Sequence, residues 1–527
     1  MYLRPTFLGF ETAKRGLTVA QKGLDIAGQN LTNWDSVGYT RQRTTQVAIA
    51  TDSYRSRYST GRVGLAGQGV DITGIDQTRD VFLDKRFREE NSDVGYFDQS
   101  SKILTDIQAS INEYNPKDDT GLRSCIMNIN DALQKFSTNA YSETHANIVA
   151  TEFKNLAQTL QQISGKLQSA RSQQVYDLDV SVQEVNKKLQ QIAGLNHAIM
   201  ESMSGVIGDN PYFGPNELLD ERNLLLDELS QYIDIQYKSN ADGTITVESN
   251  GRTIVSGEKY DQLSMVEDEK TDVVGVRWVS TNEAADIQSG SVKAQIDYLN
   301  GRGPNLKNPG ESAERGFFYY KDKLDAFAQT LVNTVNRIIP EVDEDGNIKE
   351  DADGNIIYRQ LMGGLSDEPD ADGKYHVRDD IPVTADNLSI SDRLSTDSGY
   401  LIFQRSDDGT ADNVSNYALS LYHAIAEGTQ PFDSNGEEFT GTFLDYVKGY
   451  VTTLAEDISY LQSRHTATST ILNTLQDNRD EVSGVVVDEE VASVMLYQKT
   501  LSAASRLMTA MDEALDVIIN RTGRVGL

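Results

Sequence analysis

From Phe10 to Leu31 the apolar positions fall on a seven-residue repeat: Phe10, Ala13, Leu17, Ala20, Leu24, Ala27 and Leu31. Large residues alternate with alanine, which predicts a helix with a narrow apolar seam suited to close packing against a second helix. Near the other end Val494, Tyr497, Leu501, Ala504, Met508, Met511, Leu515 and Ile518 repeat the spacing. Two narrow-seamed helices at opposite ends of one chain are natural partners, so a terminal two-helix coiled coil is expected. Spacing alone favours a plainer alternative, that each is a packing helix of a globular domain.

Between these ends the period changes twice. A turn cluster over residues 33–40 leads into strand-like alternation up to about Ile75. Helical periodicity resumes at Asp80, breaks near Asn115-Pro116, and carries on through 132–136 and 148–200. The Gln-rich, proline-poor stretch that ends at Met200 predicts one or two long bundle helices. Residues 205–214 interrupt the pattern, and a short helix follows over Asn216–Tyr232. Period-two alternation begins at Ile233, with turn signals at Asp242-Gly243 and Asn250-Gly251. A further strand is expected over 273–280 and a helix over Phe317–Ile339. Residues 341–400 are turn-rich with short strands, and the chain is helical again from Asn416 through Tyr446–Leu475.

The expected fold is mainly α with a β-rich insertion (α+β). Residues 1–35 supply the N-terminal helix of a coiled-coil core, and 36–232 a long helical bundle with a β-hairpin-like segment over 36–79. Residues 233–415 form the inserted β-rich outer domain, interrupted by the helix at 317–339. The framework returns over 416–482, and 483–527 is the C-terminal helix of the core.

Composition narrows the class. The chain has 527 residues, a length that implies several domains, and a formal charge of −32. That charge argues against nucleic acid or an anionic membrane as partner. It is unevenly placed: residues 1–100 hold 13 Lys/Arg against 12 Asp/Glu, whereas 341–400 hold 5 against 16. The acid marks a solvated, outward-facing middle, and the near-neutral terminus can approach its own copies without long-range repulsion. No apolar run approaches the ~18 residues of a spanning helix. The N-terminus shows no conventional cleaved signal peptide. The single cysteine, Cys125, sits in a helical pattern with Leu122, Ile126, Ile129 and Leu133, and is expected to be a buried small hydrophobe.

A search for chemistry yields no catalytic, cofactor-binding or metal site. His145, His197, His376, His423 and His465 form no metal-ligand spacing. Gly64, Gly67 and Gly69 precede a strand pattern rather than a helix, so they are turn glycines and not a phosphate loop. An EF-hand register with Gly346 at the sixth position puts Ala352 where a bidentate Glu is needed, so hairpin turns explain the acidic repeats at 343–355, with weak surface calcium binding as the alternative.

Two segments are more specific than periodicity. The first runs from Leu24 through Asn30 and Asn33 to Gly38, Tyr39, Thr40, Arg41 and Gln42. The second comprises Gly484, Asp488, Glu489 and Glu490, then Tyr497-Gln498 and residues 510–523. Together they resemble the terminal signatures of flagellar rod, hook and hook-associated proteins. With Gly67–Ile72, Arg79–Leu83 and Leu218–Ser230, the chain most resembles the flagellar hook-associated protein 1 family; no match extends over about 233–415. The resemblance implies a structural, non-enzymatic subunit of the hook–filament junction, polymerising through its paired terminal helices. Phe10, Leu17, Leu24, Leu31, Val494, Leu501, Met508 and Leu515 would form the self-assembly seam. It also implies export through the flagellar type III apparatus to an extracellular location. The partners would be further copies, the hook protein, hook-associated protein 3, and a cytoplasmic export chaperone at the C-terminal region, with no nucleic acid and no membrane insertion. Isolated narrow helices are marginal in water, so the termini are expected to be poorly ordered in the free monomer. Another axial protein (hook, distal rod or flagellin-like) is the alternative, as is an adhesive or antigenic role for 233–415.

Overall fold

The computed structural model describes residues 6–49, 69–111, 121–205, 215–343, 348–366, 369–370, 375–378, 380–403 and 412–521. Helices dominate, as the 3.6-residue periodicity requires. They are α1 (Thr6–Thr32), α2 (Val81–Ile111), α3 (Leu122–Thr138), α4 (Glu143–Gly205) and α5 (Asn216–Tyr232). Later come α6 (Ser291–Leu299), α7 (Phe317–Val335), α8 (Asp392–Thr396), α9 (Asp412–Ala426), α10 (Phe443–Ser483) and α11 (Val487–Asp516). The fold is α+β: a terminal helix pair, a long helical bundle, and small separate antiparallel sheets. No described helix is long and apolar enough to cross a membrane.

The sequence expectation of a break near Asn115-Pro116 falls outside the described residues, as do most of Gly205–Gly214 and residues 344–347. A second break, at 139–142, separates α3 from α4. The Gln-rich stretch is one helix of 63 residues, roughly 95 Å long at 1.5 Å per residue. Its inward face (Val149, Phe153, Leu156, Leu160, Leu178, Val182, Val185, Leu189 and Ile192) is buried. The glutamines keep the opposite side wet, so this helix serves as the spine of the molecule.

Strands pack against that spine. β3 (Gln236–Ser239), β4 (Ile245–Ser249), β5 (Arg252–Ser256) and β6 (Lys259–Tyr260) form an antiparallel meander. The expected Asn250-Gly251 turn joins β4 to β5, with φ of 42° and 77° at its two residues, the left-handed pair that a two-residue hairpin needs. β7 (Leu263–Glu267) pairs with β8 (Val274–Trp278), and β9 (Met362–Leu365) lies between β10 (Val377–Arg378) and β11 (Leu388–Ile390). Ile245, Val247, Leu263, Val276, Met362 and Leu388 share one continuous apolar core with the helices. The second acidic repeat is a hairpin turn: Asp351 accepts from the backbone N–H groups of Asp353 and Asn355 at 2.9 and 2.8 Å.

The uninterrupted helix expected from Asn416 onward is replaced by two helices and a hairpin, β12 (Gln430–Ser434) with β13 (Glu437–Gly441). Each strand carries one core aromatic, Phe432 or Phe439. That is too few for a visible period-two pattern, although Asn435-Gly436 marked the turn. Phe432 stacks on Tyr446 at 4.1 Å and meets Phe443 edge-on at 5.3 Å. This aromatic cluster seats the hairpin on α7 and α10. Cys125 is buried in α3 as expected, with its Sγ 3.4 Å from Thr159 Oγ1.

One buried carboxylate makes the fold sensitive to pH. Burial pushes Asp325 in α7 up to about 6, against the hydrogen bond it accepts from Ala385 N–H at 2.7 Å. A raised folded-state value means its favourable contribution is full below the unfolded carboxylate range and is lost as pH rises through about 6. Asp325→Asn keeps the acceptor and removes the charge. It is expected to stabilise the chain at pH 7.5 by up to about 3 kcal/mol, at roughly 1.4 kcal/mol per unit, with no gain below pH ~4. Urea melts of both chains at the two pH values check this.

Candidate assembly site

The two chain ends form one antiparallel helix pair. Gly9 lies against Met511, Gly16 against Ala504 and Gly23 against Tyr497, three contacts seven residues apart running in opposite directions. The column of α1 that faces α11 is therefore Gly9, Ala13, Gly16, Ala20, Gly23, Ala27 and Asn30. Ala13, Ala20, Ala27 and Asn30 are almost wholly buried. A Cβ on Gly9 would stand 2.6 Å from Met511 Cε, and one on Gly23 would run into the Tyr497 ring. Glycine at 23 leaves room for the Tyr497 ring against the α1 backbone, whereas a Cβ at Gly16 would make ordinary contact with Ala504 at 3.8 Å.

The sequence-expected seam residues divide between two surfaces. Val494, Tyr497, Leu501, Ala504, Met508, Met511 and Leu515 are the half-buried stripe of α11, and the glycine contacts put this stripe on α1. Phe10, Leu17, Leu24 and Leu31 are also half-buried. They lie beside the small column that the three glycine contacts place on α11. Sequence reasoning missed Gly9, Gly16 and Gly23, although glycine at a strict seven-residue spacing was a readable signal.

Strand β1 (Gln42–Ala48) pairs antiparallel with β2 (Val70–Gln77) beside α1. Between this ribbon and the helix pair lies an open furrow of about 890 Å³, lined in part by Val19, Val70, Leu496 and Tyr497.

The two terminal motifs converge where the pair meets the body. Asn30 donates to Gln42 O at 2.9 Å, and its Oδ1 accepts from Gln42 N–H at 3.0 Å and Tyr39 Oη–H at 2.8 Å. That closes the chain reversal after α1. Asn33 donates to Gln29 O, and Gly38 takes a φ of 79° in the turn. Thr40 N–H donates to Asp220 at 3.2 Å. Arg41 reaches Glu490 and Glu489 at 2.8 and 2.9 Å. Gly484 ends α10, while Asp488, Glu489 and Glu490 occupy the first turn of α11, the favourable end of its dipole for anions. Asn30, Asn33, Gly38 to Gln42, Gly484 and Asp488 to Glu490 thus lie at this joint or in the turn leading to it, whereas Tyr497, Gln498 and residues 510–516 lie farther along α11. Burial raises the Tyr39 hydroxyl, helped by Asp220, Glu217 and Glu490, so Tyr39 stays a neutral donor.

Beneath the motifs runs a buried ladder of alternating charge that no sequence pattern announced. Arg79 makes two parallel bonds of 3.0 Å to Asp84 and lies 3.8 Å from Asp220. Arg479 bridges Asp84 at 3.0 Å and Asp227 at 2.7 Å, and Arg88 also bonds Asp227, at 2.6 Å. The six groups come from α2, α5, α10 and the link between β2 and α2, and their charges cancel. Burial would raise the Asp84 carboxyl, but the hydrogen bonds and charge of Arg79, with Arg479 and Arg88 behind, hold it below the ordinary range. For Asp220 burial wins: its carboxyl is raised despite the bonds from Thr40 and Gln77 and the charge of Arg79. Among the described residues no group of acids, histidines or cysteines is placed to hold a metal ion.

Comparison with known proteins agrees with these features. Residues 108–351 match the family described as "Flagellar hook-associated protein FlgK helical domain". The chain is 28% identical to flagellar hook-associated protein 1 of Bacillus subtilis, over 98% of this chain and 99% of that protein. Its identity to the Escherichia coli protein of the same name is 22%, over 96% and 98%. The flagellar hook junction protein FlgK of Burkholderia pseudomallei shares the fold, with a TM-score of 0.54 at 13% identity, over 76% of this chain and all of that one. Helical framework, paired termini and near end-to-end similarity agree: the chain is similar to flagellar hook-associated protein 1 over almost its whole length.

Proposed function

We propose that the chain is a structural, non-catalytic subunit of the bacterial flagellum that joins hook to filament by polymerising through its terminal helix pair. The observation that carries this reading is the unfinished surface of that pair. After α1 has covered one stripe of α11, Leu496 is still 63% exposed and Met495 53%, with Val491 and Leu507 also open. Phe10, Leu17, Leu24 and Leu31 add a half-covered stripe on α1. Large apolar residues in such number along one element mark an interaction surface, and near-neutral charge over the first hundred residues lets copies approach.

Further copies cover these stripes in a ring or short helical stack. The hook protein lies on one side, hook-associated protein 3 on the other, and the β-rich segment 233–415 faces outward. Before export a cytoplasmic chaperone shields the C-terminal region, and the chain leaves through the flagellar type III apparatus.

Cells deleted for the gene and supplied with a Met495→Asp/Leu496→Asp double variant provide the test. Both side chains lie on the open face, so the monomer's melt is expected to stay within about 0.5 kcal/mol of the parent. Electron microscopy is expected to show hooks without filaments, with flagellin in the medium, for both the deletion and the double variant. Normal filaments in the deletion strain would refute the junction role. Normal filaments with the double variant alone would refute this surface as the contact.

A further inference from the structure

Arg41 binds three parts of the molecule at once. Its N–H donates to Ser483 O, the last residue of α10, at 2.9 Å, and its carbonyl accepts from Thr78 N–H, just after β2, at 2.9 Å. The guanidinium then crosses to the first turn of α11, with Nε donating to Glu490 at 2.8 Å and Nη1 to Glu489 at 2.9 Å. Glu490 is 3% exposed, the one fully buried residue among the described positions of α11. Between α10 and α11 lie only residues 484–486, which are not helical. The direction in which α11 leaves the body is thus set at the place that Arg41 grips.

We propose that Arg41 is a positioning residue: it latches the start of α11 to β1 and the end of α10, and so holds the terminal helix pair in one stance on the body. The proposal rests on the pair being the polymerising element. Three carboxylates in one helical turn suit the helix dipole but repel one another. A cation supplied from the N-terminal side relieves that repulsion and satisfies the buried Glu490. The Glu489 contact is open to water and contributes little, so the Glu490 bond carries the latch. Lysine cannot replace it, because two acceptors on different residues are met from two nitrogens of one rigid plane. The remainder of α11 lies against the small residues of α1, so order is expected to be greatest beside Glu490 and to decline toward Asp516.

Hydrogen exchange on the full-length monomer tests this with three variants: Arg41→Ala, Arg41→Lys and Arg41→Ala/Glu490→Gln. In the parent, protection is expected to fall from residue 491 toward 516. In Arg41→Ala, amides of 491–500 and of β1 are expected to exchange roughly ten- to hundredfold faster, the range that losing a charge-assisted hydrogen bond spans. Amides of α4 and α7 should not change. Arg41→Lys should behave like Arg41→Ala, while adding Glu490→Gln recovers part of the protection, because the orphaned buried carboxylate is gone. Unchanged exchange in 491–500 would overturn the proposal, whether the parent is protected there or not. Equal acceleration throughout α4 and α7 would also overturn it, making Arg41 a general stability residue. If the latch is lost as described but Arg41→Ala cells still build normal junctions, Arg41's role stands and the polymerisation reading fails.

Discussion

Replacing Asp84 with alanine is expected to lower the unfolding free energy by about 3–5 kcal/mol, the cost of breaking a buried ion pair from one side. The carboxylate is 4% exposed and serves both Arg79 and Arg479, so its removal leaves two cations competing for Asp220 and Asp227. Water cannot reach either guanidinium freely, and salt screens buried charges weakly. The loss should therefore persist at high ionic strength.

The sign of the pH effect follows from the direction of the Asp84 shift. Its folded-state value lies below the unfolded one. Its contribution is therefore present above the ordinary carboxylate range near ~4 and disappears as pH falls through the folded value. The alanine variant should show a shallower acid limb than the parent. Urea melts at pH 7 and between pH 2 and 5 measure both effects. A loss below about 1 kcal/mol at pH 7 would reduce the ladder to the standing of a surface pair. Because Arg479 lies on α10 just ahead of the Gly484 break, the variant is also expected to loosen the joint on which α1 and α11 sit.

Gly23→Leu is the second substitution with a large expected effect. A Cβ at that position already overlaps the Tyr497 ring, and three further carbons cannot be placed between the helices. Overpacking costs about 1–3 kcal/mol, more than the ~1 kcal/mol that replacing a helical glycine gains. The pair is expected to splay and junction formation to fail, while the body of the chain melts as before. The contact can be isolated by combining Gly23→Ala with Tyr497→Ala. Each alone should disturb the fit, and together they should be less harmful than their sum by about 0.5–3 kcal/mol. Simple additivity would show that the two helices do not meet there.

Much of the framework was legible in the chain. The short helix at Asn216–Tyr232 starts and stops where its apolar spacing does, and the meander after Ile233 follows its Asp-Gly and Asn-Gly turns. Helix and turn signals are local, so one stretch of sequence suffices to carry them. The hairpin at 430–441 was hidden because a single phenylalanine per strand gives no period, and its seat is built by packing on Phe443 and Tyr446 of the helix that follows it. The terminal motifs were visible as a resemblance, but their work was not. Asn30, Tyr39, Arg41 and Glu490 are ordinary polar residues until the fold brings Tyr39 to Asn30 and Arg41 to Glu490, each pair at 2.8 Å.

The sequence alone determined that the two ends are narrow-seamed helices and that acid concentrates in the middle. Those properties depend on residue type and spacing along one chain. Only the tertiary structure decided which face of each helix meets the other. It put Gly9, Gly16 and Gly23 against α11 beside the buried Ala13, Ala20 and Ala27, because small side chains let a helix and its neighbour's side chains approach closely. The tertiary structure alone also assembled Asp220, Arg79, Asp84, Arg479, Asp227 and Arg88 into one neutral ladder from residues as far apart in the chain as Arg79 and Arg479. Charge pairing acts through space, and a sequence records none of the distances that make it strong.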